Sequence, residues 1–590
     1  MLYWIVDYAL PLAAALLLVS FYAGLPPLQN CILPSASPHR RGRGLDALLI
    51  LLITGVYALV AFTDLGDTRA PQRFAPMEGQ SAVIALERRP AALMLYTGVG
   101  QGAYRIELSG DGENYTPLTE DFQQDHVAVL KWHRLALDVP EGEGPCYVRI
   151  SCSYGSPWLG EAVFLDGEGR TVPASSLTEA LCDEQALVPA AYSLDNSTYF
   201  DEIYHARTAW EQLNGVAPYE ISHPPLGKLL MGIGIRLFGM TPFGWRFTGT
   251  LFGVLMLPLM YLFLKKLFGG CAVPALGTVV FASDFMHFVQ TRIATIDTYG
   301  VFFILLMYFF MYVWLSEDRL WALALAGISF GLGAASKWTA LYAGAGLGLL
   351  WLAHWVRRFV REKNNGRLLA EFFANEAFCL LFFVLLPGLI YYLSYLPYGA
   401  AQKVGPFTRE YTEIVWSNQL YMFQYHSRLV ATHPYSSRWY QWMLDIRPIL
   451  YYMQTGAGGS RLRIAAFLNP ALCWGGLLAL FVLLYTAIFR RDRQAAFLLV
   501  AYLAQLLPWV FIDRLTFAYH SFPCSVFLVL ALGYVFSLLR DSRRGWLWYA
   551  GGFALVSAAL FALFYPELSA HPIDGAAADR LLQWLPTWPL

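Results

Sequence analysis

Residues 298–315 read TYGVFFILLMYFFMYVWL, a run without a single charged side chain and long enough to cross a bilayer as one helix. In lipid only a helix satisfies its own backbone N–H and C=O groups, so a run of this kind decides the fold. It has company. Comparable stretches lie near 3–24, 46–64, 246–264, 271–289, 320–335, 339–356, 372–395, 466–489, 494–512, 521–539 and 546–565, about twelve spans in all. Composition agrees: 57% of the 590 residues are hydrophobic and 14% charged, against about 25% charged in a soluble chain. The apolar start, Leu2 to Gly24, lacks a basic leader and a clear cleavage site and reads as a retained span.

The short loops sort by charge. Arg40, Arg41 and Arg43 follow the first span, Lys265 and Lys266 the third, and Arg357, Arg358, Arg361, Lys363 and Arg367 the seventh. Arg490, Arg491 and Arg493 follow the ninth, and Arg540, Arg543 and Arg544 the eleventh. Basic loops stay cytoplasmic, so the alternation puts both chain ends and both long loops outside. A net charge of −1 gives no footing for nucleic acid. The eight cysteines include no CxxC pair and no metal-ligand spacing. Cys146 and Cys152 share one extramembrane segment, where a disulfide is one option, and most of the others read as small buried thiols.

The first long loop, about 65–245, contains strand patterning from about 74 to 175. Ala82-Val-Ile-Ala-Leu, Tyr104-Arg-Ile-Glu-Leu and Tyr147-Val-Arg-Ile alternate, and Ser109-Gly-Asp-Gly breaks them with a turn. These stretches, with Gly160-Glu-Ala-Val-Phe-Leu, resemble discoidin-like modules, which implies a β-sandwich serving as scaffold, docking surface or sugar-binding unit. The expected organisation is two N-terminal spans (1–73), the β-sandwich (74–180) and a helical membrane domain (181–590) with a large external loop at 396–465.

Chemistry-bearing residues gather where this topology places the outer surface. Asp201 and Glu202 stand side by side near the membrane, where carboxylates are costly unless solvated or working; the plain reading is an acidic helix start. His223-Pro-Pro-Leu-Gly-Lys228 follows, with Lys228 also readable as an interfacial anchor. Arg292 and Asp297 flank the outer end of the fourth span, and the plain reading pairs them with each other. Lys337, in Ser336-Lys-Trp, suits phosphate capture or simple anchoring. The external loop carries His426, then Thr432-His433-Pro434-Tyr435-Ser-Ser, then Arg447-Pro448; aromatics stack on sugars, Arg grips phosphate, and a plain aromatic belt is the alternative. Asp513-Arg514 and Phe517-Ala-Tyr-His520-Ser-Phe-Pro complete the set.

In this order, over about residues 195–565, these stretches resemble the protein O-mannosyltransferases, membrane glycosyltransferases of the GT-C type that use a polyprenyl- or dolichyl-phosphate sugar. The resemblance implies a mainly α polytopic fold and an inverting transfer of a mannose-like sugar to a Ser/Thr hydroxyl of a protein. It implies Asp201 as base with Glu202 beside it. It also implies Lys337, Arg447 and Arg292 at the phosphate, Asp297 orienting Arg292, and His426, His433 and Tyr435 shaping the donor site. His223, Lys228, Arg514 and His520 are further site candidates. No cofactor is required; a divalent metal is allowed but nothing indicates one. The expected partners are the lipid-linked sugar, the bilayer and a secreted or membrane-translocated acceptor protein, with the active site on the extracytoplasmic side of the plasma membrane.

The chain departs from the family by an extra first span, by the inserted β-module and by lacking the MIR repeats of eukaryotic members. A lipid or envelope-glycan acceptor therefore stays open. A transporter is disfavoured because no repeat between halves is seen, and a carbohydrate-binding sensor would leave ten spans without a purpose.

Overall fold

A computed structural model describes Leu33 and residues 43–139, 144–176, 181–362 and 366–589. The expected first span, 3–24, lies outside them. The chain divides into two compact units, residues 1–63, 220–230 and 249–590 in one, residues 64–219 and 231–248 in the other.

The first unit is helical. Among the described residues nine helices are long and apolar enough to span a membrane, including Gly44–Phe62, Asp297–Glu317, Ala518–Ser542 and Trp546–Ser569. Two expected spans take other forms. Residues 271–289 resolve into Ala272–Ala282 and Phe285–Arg292, bent by 58° at the junction. The break is stable because its freed polar groups find partners. Asp284 accepts from His287 N, and Asn469 donates to Ser283 O (2.8 Å) and Ser557 O (2.9 Å) while its own N–H reaches Asp284 (3.1 Å). Leu320–Ser336, at 17 residues, falls a fraction of a turn short of a full span. Small residues bring it against its neighbour: a Cβ on Gly327 would sit 2.2 Å from Phe382 O, the close backbone approach that membrane helices use in place of a hydrophobic drive. That neighbour, Gly366–Ala401, carries a π-helical stretch at Leu380–Leu385 followed by Pro387.

The external loop is more ordered than its composition suggested. It holds a helix, Arg409–Arg428, a short helix, Trp439–Met443, and an antiparallel hairpin, Ile449–Thr455 with Arg461–Ala466.

The second unit contains a β-sandwich with, among the described residues, ten strands between Ala75 and Ser176. We number them β1 (Ala75–Pro76), β2 (Ser81–Leu86), β3 (Ala92–Thr97), β4 (Gly102–Ser109), β5 (Thr116–Pro117), β6 (Phe122–Gln124), β7 (Lys131–Ala136), β8 (Cys146–Gly155), β9 (Trp158–Leu165) and β10 (Ala174–Ser176). One sheet runs β1-β9-β3-β7; the other runs β10-β2-β8-β4-β5, with β6 also on β4. Alternating residues from both, among them Ile84, Leu93, Leu95, Tyr104, Ile106, Val148, Ile150 and Phe164, form the shared core. β3 is buried on both faces: Met94 and Tyr96 point away from that core into a second cluster with Trp132 and Val163, against Phe74. Gly155 (φ +80°) makes the β8–β9 turn, where a Cβ would meet Gln101 O at 2.4 Å. Cys146 and Cys152 are both free thiols on β8, six positions apart along one extended strand; that spacing, about 20 Å, rules out the disulfide left open by the sequence.

Beyond the strands this unit is tied by one guanidinium. Arg246, fully enclosed, meets Glu202 with Nε (2.7 Å) and Nη2 (2.8 Å), and also donates to Leu65 O, Leu194 O and Ser197 O. Two further chain segments, at Leu65 and at 194–202, therefore hang on one side chain. Removing one partner of a buried pair strands the other charge, a loss of about 3–5 kcal/mol. Arg246→Ala is expected to lower the melting temperature of the detergent-purified protein sharply, and Arg246→Lys to restore little, since a point charge cannot reproduce the planar fork. An unchanged melting curve for Arg246→Ala would dismiss the knot as a structural element.

Candidate functional site

In the second unit Asp201 and Glu202 open the helix Glu202–Leu213. Glu202 is completely buried and its carboxylate is taken up by Arg246, by Trp245 Nε1–H (3.2 Å) and by Tyr199 N–H (3.3 Å). Asp201 is half-buried, and its side chain does not cap the helix it begins. The residue before it, Phe200, sits at φ 47°, a left-handed conformation that a bulky aromatic adopts only where the surroundings hold it. Adjacent carboxylates in sequence thus have divergent surroundings: one locked inward, one at the rim.

In the first unit the loop before the helix Leu226–Phe238 is a compact polar knot. Lys228 is fully buried; its ammonium donates to Glu220 O (2.8 Å), to His223 O (3.1 Å) and to the Glu220 carboxylate. Its three donors are thereby used inside the loop. The same carboxylate accepts from Ser222 N–H (2.8 Å) and from His223 Nδ1 (3.0 Å). Glu220 was not singled out in the sequence, although a buried lysine demands a counter-charge and Glu220 is the nearest acid before it.

His426, on the helix Arg409–Arg428, donates Nε2–H to Ser222 O (2.8 Å), and its ring lies 5.1 Å from that of His223 in a T-shaped contact. Burial holds the His223 imidazole below the usual histidine range, partly offset by Glu220, with Lys337 among the cations opposing its charge. Burial, then the nearby His223 and Arg514, push His426 down to about 4. Burial thus biases both rings toward the neutral form, in which they hydrogen-bond without adding charge.

Lys337 follows the helix Leu320–Ser336 in extended backbone and pairs with Asp297 at 2.6 Å. This corrects the expected Arg292–Asp297 partnership. Arg292 instead donates to Ala61 O (3.1 Å) and Thr63 O (2.7 Å) and lies over Phe288, because the carbonyls at the end of the helix Arg43–Phe62 offer acceptors that the helix cannot satisfy itself. Asp297, at the first position of its own helix, is left for Lys337.

A chain of side-chain hydrogen bonds braces the lysine against the histidine loop. Trp338 Nε1 donates to Tyr391, Tyr391 to Gln419, Gln419 to Tyr395, Tyr395 to Asn418, and Asn418 to Ile221 O, with separations of 2.6–3.0 Å. On the other side Tyr519 presents its ring 5.7 Å from Lys337 Nζ. Tyr519 stacks on Phe517 and His520, and Phe517 meets the ring of His433 at 5.0 Å. His433 Nδ1 accepts from Tyr435 N–H (3.2 Å), and Arg447 donates to the intervening Pro434 O (2.5 Å). Arg514 is half-buried, with Nη1 reaching Leu515 O (3.4 Å). The structure therefore brings Lys337, Asp297, His223, His426, His433, Tyr435, Arg447, Arg514 and His520 into one continuous aromatic and cationic surface of the first unit. It sets Lys228 beneath that surface as its internal brace and Arg292 apart from it. Tyr519, Trp338 and Tyr391 belong to the surface too; the sequence signalled the first two only as members of their motifs.

Comparison with known proteins gives the family. The family described as dolichyl-phosphate-mannose-protein mannosyltransferase matches residues 187–397, and the C-terminal four-span region of protein-O-mannosyltransferase matches residues 411–588. Polyprenol-phosphate-mannose–protein mannosyltransferase of Mycobacterium tuberculosis is 27% identical over 456 residues, covering 66% of this chain and 86% of that protein. Its counterpart in Corynebacterium glutamicum is 25% identical over 464 residues, covering 66% and 88%. Among solved structures, the Saccharomyces cerevisiae protein O-mannosyltransferase Pmt1-Pmt2 complex bound to the sugar donor shares the fold, with a TM-score of 0.58 at 14% identity, over 66% of this chain and 89% of the yeast chain. The strands of the β-sandwich lie before the first family match. With two consecutive family regions matched in order on a multi-spanning helical scaffold, the chain belongs to the protein O-mannosyltransferases, a family of membrane glycosyltransferases.

Proposed function

We propose that this enzyme transfers mannose from a polyprenyl-phosphate donor to a Ser or Thr hydroxyl of a protein, on the extracytoplasmic side of the cell membrane, with inversion at the anomeric carbon. The relatives' names supply the donor and acceptor classes. The observation that carries the reading is the Lys337–Asp297 pair, flanked by neutral histidines and the Tyr519 ring.

The chemistry follows from charge. The hydroxyl oxygen bonds to the anomeric carbon while the bond from that carbon to the phosphate oxygen breaks. The electron pair leaves with the phosphate, turning a monoanionic diester into a polyprenyl phosphate monoester of greater negative charge. Positive groups must meet that charge as it develops; Lys337, with Arg514 and Arg447 on the same surface, supplies them. No general acid is needed, because phosphate is already a competent leaving group. The hydroxyl proton needs an acceptor, and a carboxylate in line behind the anomeric carbon serves. We assign the role of base to Asp201, as the resemblance to the family implies. Glu202, committed to Arg246, holds the start of the helix on which Asp201 sits. His426, His433 and Tyr435 contact sugar or phosphate as hydrogen-bonding and stacking walls.

Two outcomes test this, using labelled polyprenyl-phosphate mannose and an acceptor peptide. Asp201→Asn is expected to cut turnover by about 10²–10⁴-fold, the usual worth of a positioned base, while donor binding persists. Near-normal turnover in a folded Asp201→Asn protein would remove Asp201 from the mechanism. Lys337→Met is expected to weaken donor use by about 10–100-fold, the loss of one charge-assisted hydrogen bond of about 1.5–3 kcal/mol, with partial rescue by Lys337→Arg. Donor titrations that superimpose for wild type and Lys337→Met would exclude the lysine from phosphate capture.

A further inference from the structure

The β-sandwich holds a feature that the transfer reaction does not use. Glu161, in the middle of β9, is paired in register with Tyr96 of β3. It is wholly buried on the face that carries Val163 and Leu165, where strand alternation calls for an apolar side chain. Its Oε2 accepts the backbone N–H of Glu184 at 3.1 Å, but among the described residues its Oε1 has no hydrogen-bond partner. The hydroxyl of Tyr96, also fully buried, has none either. The chain returns to this point at Asp183 and Glu184, and one carboxylate oxygen from each of Glu161, Asp183 and Glu184 falls within 4.8 Å of the others.

Three carboxylates this close repel one another, and the charge that compensates them is small. Glu184 accepts Gln72 N–H at 3.1 Å, and Asp183 meets Arg73 at 3.0 Å, a pair whose arginine is largely exposed and correspondingly weak. A buried carboxylate oxygen without a donor, beside two further carboxylates, is answered either by a proton or by a positive centre. The donor set is oxygen only. The nearby Cys182 thiol turns to Ala162 O instead. Such a set selects a hard cation over zinc or copper, and the mixture of a rigid strand residue with two ligands on a loop suits the adaptable coordination of calcium better than the strict octahedron of magnesium.

We propose that Glu161, Asp183 and Glu184 form a calcium-binding site that staples the segment after the last strand to β9. Water would complete the shell on the exposed side of Asp183. With only three protein carboxylates and one of them on an exposed residue, the affinity belongs in the range of extracellular modules, with Kd about 10⁻⁴–10⁻³ M.

The test uses the full chain, purified in detergent and stripped with chelator. Calorimetric titration with CaCl2 is expected to show binding in that range, with MgCl2 weaker, and saturating calcium to raise the unfolding midpoint of the β-sandwich by about 2–4 °C. Glu161→Gln, nearly isosteric, should keep the fold and abolish both the heat and the shift. Because Asp183 and Glu184 lie towards solvent, the double variant Asp183→Asn/Glu184→Gln should fold normally and bind calcium at least about tenfold more weakly. Absence of calcium heat in the wild-type protein at about 10 mM, some tenfold above the weakest expected Kd, would overturn the site in favour of a protonated Glu161. Equal binding by wild type and both variants would place the ion elsewhere and overturn it as well.

Discussion

Charge inside an apolar scaffold persists only when it is answered, and that requirement organises this enzyme. Lys228 is answered by Glu220, Lys337 by Asp297 and Arg246 by Glu202. Each pair ties chain segments together at a place where unpaired charge would be expelled or neutralised. The pairs also differ in a telling way. Arg246 and Lys228 use their donors on carbonyls as well as on a carboxylate, and both are enclosed. Lys337 has a single carboxylate contact, near an aromatic ring and two neutral imidazoles, and keeps some exposure. Enclosed, multiply satisfied cations hold structure; a cation with donor capacity in hand at a surface is the one equipped to meet a phosphate.

The membrane spans were legible because hydropathy over about twenty residues is a local property that no tertiary context reverses. The bend at Asp284 was not, since it depends on Asn469 arriving from nearly two hundred residues away to satisfy the broken ladder. The same distinction runs through the site. His223, Lys337, His426, His433 and Arg447 stand in motifs whose residue types announce their chemistry. Partnerships did not follow from proximity in sequence: Arg292 and Asp297 are five residues apart yet diverge, because carbonyls at the end of the helix Arg43–Phe62 draw the guanidinium away and a lysine forty positions later takes the carboxylate. Lys228, readable as an interfacial anchor, is buried and braces its loop from within. Glu220 could have been reached from that lysine, by asking what charge would allow it to be buried.

The β-sandwich was visible as alternation broken by Gly and Asp turns, and its strands run from Ala75 to Ser176. Its limits were less so. The compact unit that contains it continues through Tyr219 and takes in residues 231–248, because the outer face of β3 is itself apolar and requires cover from Phe74, with Trp210 packed on Phe74 and Trp158. A sandwich buried on the far side of one sheet cannot end where its strands end. Trp210 lies on the helix that Asp201 begins, so the module packs against the element that carries the proposed base.

Pre-pairing of Lys337 also bears on turnover. A lysine with no counter-charge would bind a phosphate strongly before and after the sugar leaves, and the product monoester, more negative than the donor, would be held tighter still. Asp297 at 2.6 Å offsets part of that field. Its influence is largest on the most highly charged species, because the repulsion between carboxylate and phosphate grows with the phosphate's charge. In the proposed reaction the pair narrows the gap between donor and product affinity while leaving a donor N–H in place for the developing charge. Binding energy is useful to a transferase only where it is greater in the transition state than in the states on either side, and a lysine restrained by its own aspartate is closer to that condition than a bare one.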